Sequence, residues 1–490
     1  MQLCLRGVKP MENPPADNDT SQSTTSSTAQ NIDSDSEDEQ FPSDTDKDIL
    51  GEIVDVSGIQ VSLNGKRSAA IATDGSLYVW GDNATGGLEN GTSEKSSTPI
   101  KIMDNVTSVS LGDDHSAAIT TDGSLYMWGD NWLGQLGYST QEDNHTTPNT
   151  PGAHILHSPI KIMDNVACVS LGGYYYSAAI TTDGSLFMWG SNNAGQLGNG
   201  EAGEVYSTTP IKIMDNVKSV SLGEHHSAAI TTDGSLYMWG YGEDGELGNG
   251  EAGEEAFNTT PIKIMDKVES VSLGCYHSAA ITTDGSLYMW GNNDYGQLGD
   301  GTTEDSSTPV KIMDNVASVS LGDFHSTAIT TDSSLYMWGN NWNGQLGNGT
   351  TENRYSTPLK IMNSVVSVSL GGDHSAAITA DGSLYTWGYN LFGQLGNGTT
   401  ENSSTPIQIN IPNVSTADTA QTTPDAVDTL PMTNAPEPDV EYIEPPAEDF
   451  SYEYDTELDG VVIYGYGYRS YNCGERRKQA EFIGNRNDLR

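Results

Sequence analysis

From residue 106 onward, apolar side chains fall on alternate positions: Val109 and Leu111, then Ala117 and Ile119, then Leu125 and Met127, with Ser, Thr and Tyr nearby. A period of two puts successive side chains on opposite faces of a strand; a helix would repeat every 3.6 residues. Asp122-Gly123 stands between two such runs. It is a two-residue hairpin signal, because glycine takes positive φ without a Cβ penalty. The pattern predicts four short strands, 107–111, 115–120, 124–128 and 159–163.

The same segment recurs. Trp80, Trp128, Trp189, Trp239, Trp290, Trp338 and Trp387 mark seven copies, spaced 48, 61, 50, 51, 48 and 49 residues apart. Copy six carries Asp332-Ser333 at the hairpin, a small local cost where positive φ is needed. Seven four-stranded units predict an all-β, seven-bladed β-propeller of antiparallel blades, which protects its sheet edges by closing radially. A solenoid is the rival architecture. The first copy starts near Val54 and the last fourth strand is expected at 406–411, so the ring needs no borrowed strand. A closed ring also leaves no edge demanding a neighbour, and a monomer is expected.

The predicted organisation is a disordered acidic Ser/Thr-rich tail at 1–48, the propeller at 49–414, a disordered Pro/Thr/Glu-rich linker at 415–448, and a short segment at 449–490 that reads as an incomplete domain. Charge sharpens the picture. The net formal charge is −46, divided as −8 over 1–50, −28 over 51–414 and −10 over 415–490. A nucleic-acid binder needs a basic face to displace counterions from phosphates, so nucleic acid is not expected as a partner. No apolar run is long enough for a membrane-spanning helix. Cys4, Cys168, Cys275 and Cys473 are widely spaced and suggest neither a zinc site nor a disulfide framework.

The run Leu-Gly-x-x-His-Ser-Ala-Ala-Ile, followed by Asp-Gly-Ser-Leu-Tyr-Met-Trp-Gly-x-Asn-x-x-Gly-Gln-Leu-Gly, resembles the regulator of chromosome condensation repeat over residues 51–414. A kelch propeller fits less well, since most copies lack the Gly-Gly doublet. The resemblance implies a seven-bladed propeller. The founding member of that family is a nuclear guanine-nucleotide exchange factor on chromatin. Other propellers of the superfamily are secreted bacterial binders, including a β-lactamase inhibitor. The acidity here, and the near-identity of the copies, look more like the bacterial members.

Comparing the copies separates two faces. The 2–3 hairpins and 4–1 crossovers are nearly constant, whereas the 1–2 turns and 3–4 connections vary and carry aromatic residues. Trp132, Tyr174, Tyr276, Tyr295, Phe324, Trp342 and Phe392 are therefore the expected partner-binding anchors. His115, His226, His277, His325 and His374 recur once per copy, with Arg67 and Tyr176 in their place in copies one and three. Regular placement fits a structural role, each ring bonding a neighbouring backbone group, and the seven repeat tryptophans are structural as well.

Other candidate chemistry is thin. Glu142, Asp143, His145, His154 and His157 in the insertion at 138–157 match no standard zinc spacing. Asp44, Asp46, Asp48 and Asp55 fit part of a calcium loop, but Ile49 stands where glycine is needed. No phosphate-loop, nucleophile-elbow or zincin motif occurs, so neither an enzyme, a cofactor nor a metal is expected.

The reading is a non-enzymatic binding or scaffold propeller whose partner is a protein or glycan. The alternative is a guanine-nucleotide exchange factor-like regulator of a small GTPase, with the 138–157 insertion as its wedge. Met1–Pro10 lacks the apolar core of a secretory signal, which favours the cytoplasm. The polar spacers around the propeller, and the resemblance of 449–463 to the opening of a bacterial surface leucine-rich repeat region, favour a secreted or cell-surface protein. The latter is the expectation.

Overall fold

The computed structural model describes residues 59–89, 91–139, 154–203, 205–253 and 255–411. The tail, the linker, the 449–490 segment, the calcium-like aspartates and most of the 138–157 insertion lie outside the described residues.

Seven sheets follow one another along the chain, each made of four consecutive strands hydrogen-bonded in chain order. We number the blades by chain order: 60–103, 106–163, 166–214, 217–265, 268–313, 316–362 and 365–409. The result is the seven-bladed antiparallel propeller that the repeats predict, and the described residues contain no helix.

In blade two the strands are Val106–Leu111, His115–Thr120, Leu125–Asp130 and Ile155–Met163. The first three lie within two residues of expectation. The fourth starts earlier because Ile155-Leu156-His157-Ser158 still pairs, Leu156 opposite Gly129 and Ile155 opposite Asp130, although its two apolar residues are adjacent and do not alternate. Likewise the last strand is Ser403–Ile409 rather than 406–411. Each fourth strand is an outer edge and contains a proline, such as Pro99 or Pro159, which blocks further strand addition.

The described residues form seven hydrophobic cores, each lying between two blades. Ile71, Leu77 and Leu88 of blade one meet Val106, Leu111 and Trp128 of blade two. The seventh joins Ile378, Leu384 and Ile409 of blade seven to Val61, Leu63 and Trp80 of blade one, closing the ring. All seven tryptophans are completely buried. Each indole Nε1 donates to a backbone carbonyl of the preceding blade: Trp128 to Gly87 at 2.9 Å, Trp239 to Gln196 at 2.9 Å, Trp80 to Gln394 at 2.8 Å. The closing seam thus repeats the geometry of the others. Ser333 takes φ +62°, where its copies have glycine, at about 1 kcal/mol by the general penalty for L-residues there.

The loop face as candidate functional site

Antiparallel strand order puts the 1–2 turns and 3–4 connections on one face of the ring, here called the loop face. The 2–3 hairpins and 4–1 crossovers lie on the opposite, crossover face. The crossover face is locally satisfied. Lys101, Lys161, Lys212, Lys263 and Lys311 each sit 2.5–2.6 Å from the aspartate three residues on. Hairpin aspartates such as Asp122 accept from the Thr120 hydroxyl at 2.6 Å and the Ser124 amide at 3.1 Å. Those two bonds hold Asp122 below the usual carboxylate range.

Beneath the loop face, neighbouring blades are joined by side-chain bridges. His115 Nε2 lies 3.0 Å from Ser177 Oγ of the next blade, and that hydroxyl donates to the Gln135 carbonyl at 2.8 Å. With its hydroxyl proton so engaged, Ser177 accepts from the ring, which places the imidazole proton on Nε2. His226, His277, His325 and His374 repeat the arrangement on Ser278, Ser326, Ser375 and Ser68. The expected backbone partner is therefore a serine side chain. Burial holds His115, His226 and His277 neutral, with pKa values lowered to about 3.

Arg67 and Tyr176 make the same bridge by other means. Arg67 donates to Ser116 Oγ at 2.9 Å and to the carbonyls of Gly112 and His115 at 2.7 and 2.9 Å. The Tyr176 hydroxyl donates to the His226 carbonyl at 2.7 Å. Room for the guanidinium comes from Gly87, which replaces the glutamine of other copies; a Cβ there would lie 1.7 Å from Arg67 Nη1.

Carboxyl groups are buried on this side as well. Burial raises Asp114 against the opposing pull of Arg67. Burial, then the neighbouring Asp114, raises Asp130 to about 7. His154 Nε2 stands 3.3 Å from Asp130 Oδ1, and its own pKa is lowered by burial, so the contact leans toward a neutral hydrogen bond. Glu246 replaces the repeat glutamine in blade four and is fully buried, with its Oε1 unpartnered among the described residues and its pKa raised by burial to about 8. Asp113, Glu224 and Asp323 line the mouth of the central channel. Among the described residues, no three His, Cys, Asp or Glu side chains converge as metal ligands do. His145, Glu142 and Asp143 lie outside those residues.

The structure divides the expected anchors. Trp132 and Trp342 project, 54% and 44% exposed. Trp132 meets His154 edge-on at 5.0 Å. Tyr174 and Phe392 are half-buried, Tyr174 tilted against His225 with ring centres 4.4 Å apart. Tyr276, Tyr295 and Phe324 are buried. Tyr295 packs on Phe324 at 5.0 Å and edge-on against Trp342 at 5.5 Å, so those two rings support Trp342 from below. Outside the expected set, Leu391 at 54%, Phe257 at 46%, Val366 at 45% and Val205 at 40% are also exposed among the described residues. Both described cysteines, Cys168 and Cys275, are disulfide-bonded, which their linear spacing did not indicate.

A family profile described as an RCC1-like domain matches residues 17–266 and 207–423. The human X-linked retinitis pigmentosa GTPase regulator is 34% identical over 155 residues, covering 31% of this chain and 15% of that protein. The ultraviolet-B receptor UVR8 of Arabidopsis thaliana is 30% identical over 138 residues, covering 27% of this chain and 31% of the receptor. The chain thus spans a minor part of these relatives. Among solved structures, yeast RCC1 (Prp20) bound to Kap60 superposes with a TM-score of 0.61 at 21% identity, covering 69% of this chain and 84% of that one. Human WBSCR16 gives 0.60 at 22%, covering 69% and 96%.

Proposed function

Because the chain belongs to the RCC1-like domain family, we propose that it is a non-catalytic protein-binding propeller whose working surface is the loop face. One observation carries this reading. The crossover face pairs five of its lysines locally, while the loop face varies from copy to copy and projects Trp132, Trp342 and Leu391 into solvent. Large apolar side chains held out on a rigid scaffold are what a partner's surface would cover.

A small GTPase is the first partner to test, since the human relative is named a GTPase regulator. A regulator of this kind needs no catalytic side chain; it acts by stabilising one nucleotide state of its partner over another. The experiment measures fluorescent-GDP release from a panel of small GTPases, with and without the full chain. Accelerated release that weakens in Trp132→Ala and Trp342→Ala supports the reading. Acceleration indifferent to both substitutions places the contact elsewhere.

A second reading, a secreted or cell-surface binder of a protein or glycan, is favoured by the disulfides at Cys168 and Cys275, because disulfides persist in oxidising compartments. Cell fractionation with N-terminal sequencing of the native protein separates the two. Recovery from the medium or envelope leaves no GTPase in reach; recovery from the cytosol ends the surface reading.

A further inference from the structure

The repeat glutamine, present behind the 3–4 connection in five of the seven blades, has a fixed task. Its Oε1 accepts a backbone amide of its own loop, and its Nε2 needs an acceptor. Gln135 finds Asp130 Oδ2 at 3.1 Å, Gln196 finds Ser191 Oγ at 3.4 Å, and Gln297 finds Asn292 Oδ1. Gln345 instead reaches Asp373 Oδ1 in the 1–2 turn of the next blade, at 3.2 Å. An acceptor thus stands either just after the Trp-Gly pair or in the neighbouring turn.

Blade seven has neither. Tyr389 follows its Trp-Gly pair, and the next turn around the ring, that of blade one, presents Lys66 where blade seven presents Asp373. Gln394 Oε1 still accepts from the Phe392 amide at 3.0 Å, which fixes the side chain against the backbone of that loop. Its Nε2 is buried and has no acceptor among the described residues, while Gln394 as a whole is 1% exposed. An amide donor left so is costly unless something else completes it.

Two cations gather at the ring of Phe392, the residue whose amide holds Gln394. Lys66 Nζ lies 4.6 Å and Lys95 Nζ 5.9 Å from the centre of the Phe392 ring. Lys95 also donates to the Leu391 carbonyl at 2.8 Å, which holds it at the seam. Neither lysine forms an ion pair among the described residues, unlike five of the lysines on the crossover face. The two ammonium groups at the Phe392 ring and the buried Gln394 amide thus lie at one loop beside an exposed leucine, with no described carboxylate paired to either lysine, on a face otherwise rich in carboxylates.

We propose that the seam between blades seven and one is an anion subsite, formed by Lys66, Lys95 and the Gln394 amide, which receives a carboxylate side chain of a docked protein. Leu391, next to it, covers an apolar neighbour of that carboxylate. Because the channel mouth carries Asp113, Glu224 and Asp323, an acidic partner residue is repelled there and accepted at this seam. The subsite therefore orients the partner on the ring. Only the source of the carboxylate rests on the loop-face reading; the anion site itself does not.

The test is an NMR titration of the full chain, following the Gln394 side-chain amide, identified by its loss in Gln394→Met. Sodium acetate and inorganic phosphate are the probes, each against sodium chloride at constant ionic strength. A saturable shift of that amide with acetate, weakened roughly tenfold or more in Lys66→Gln/Lys95→Gln, is the expected result. Each single lysine variant is expected to fall between; both lysines are at the surface, and an unchanged melting midpoint shows that the fold is intact. Saturation by phosphate alone would overturn the carboxylate assignment. No saturable shift with either anion, or an undiminished one in the lysine variants, would overturn the subsite. No partner enters the measurement, so its failure and the failure of the loop-face reading are separately visible.

Discussion

The crossover face and the loop face are two ends of the same twenty-eight strands. On the crossover face, one solution recurs: a lysine on an aspartate in blades one to five, a threonine hydroxyl on the hairpin aspartate in blades two to seven, and a serine amide on that aspartate. On the loop face no two blades agree. Blade two carries Asp114 and Asp130, blade three Tyr175 and Ser191, blade four His225 and Tyr241, and blade six Phe324 and Asn340 at equivalent places. The difference teaches where the fold's energy lies. The seven cores and the tryptophan and histidine bridges sit between blades, so either face can vary without loosening the ring, and only one of them does.

The sharpest way to break this comparison is to move from the cores to the loop face with the same substitution. Trp239→Ala empties a fully buried site and removes the bond to Gln196, and it should destabilise the protein by about 4 kcal/mol in denaturant unfolding. Trp132→Ala or Trp342→Ala should change stability by no more than ~0.5 kcal/mol. Either should weaken an identified partner by roughly 2 kcal/mol or more. Equal effects on stability from the two classes would mean that the exposed tryptophans are structural after all.

Next in size is the buried acid that departs from the repeat. The folded-state pKa of Glu246 is raised to about 8, so the folded protein holds a proton that the unfolded chain releases above about 4.5. Its contribution is present below the unfolded value and is lost as pH rises through the folded one. Glu246→Gln, which restores the residue of other copies, should therefore stabilise by on the order of 2 kcal/mol at pH 8.5 and by little at pH 4. Melting midpoints at the two pH values check it; a gain equal at both would show that ionisation is not the cause.

The histidine bridges have the opposite sign. His115, His226 and His277 are lowered to about 3 when folded, so the unfolded chain binds more protons between that value and about 6.5. Stability is complete above the unfolded value and is lost as pH falls. With Glu246 and Asp130 acting from the alkaline side, unfolding free energy measured across pH should peak on the acid side of neutrality. A monotonic rise to pH 9 would contradict the Glu246 and Asp130 assignments, and a monotonic fall the histidine one. The smallest effect is Ser333→Gly, which should add roughly 0.5–1 kcal/mol by relieving positive φ, unless the gain is offset in the unfolded chain.

The strand order and ring were legible because period-two runs, Asp-Gly hairpins and one tryptophan per copy are local signals repeated seven times. The outer edges were less so: the Ser-Ser-Thr starts of the fourth strands pair without any apolar alternation. At the candidate site the variable face could be named, but not which rings face solvent. Tyr295 and Phe324 come from different blades and bury one another, a contact that exists only after the loops fold back. Lys66 and Phe392 are at opposite ends of the propeller sequence and become neighbours through ring closure alone. Leu391 escapes a search for aromatic anchors because it is aliphatic.

The most direct test of the loop face as the working surface can be made before any partner is identified. A photo-crosslinking amino acid is placed at position 342, on the loop face, or at position 212, on the crossover face, and irradiated in the cells that make the protein. The account predicts a discrete protein adduct from position 342 and none from 212, with the adduct's mass spectrum naming the partner. Adducts from position 212 instead, or equally from both, would contradict it.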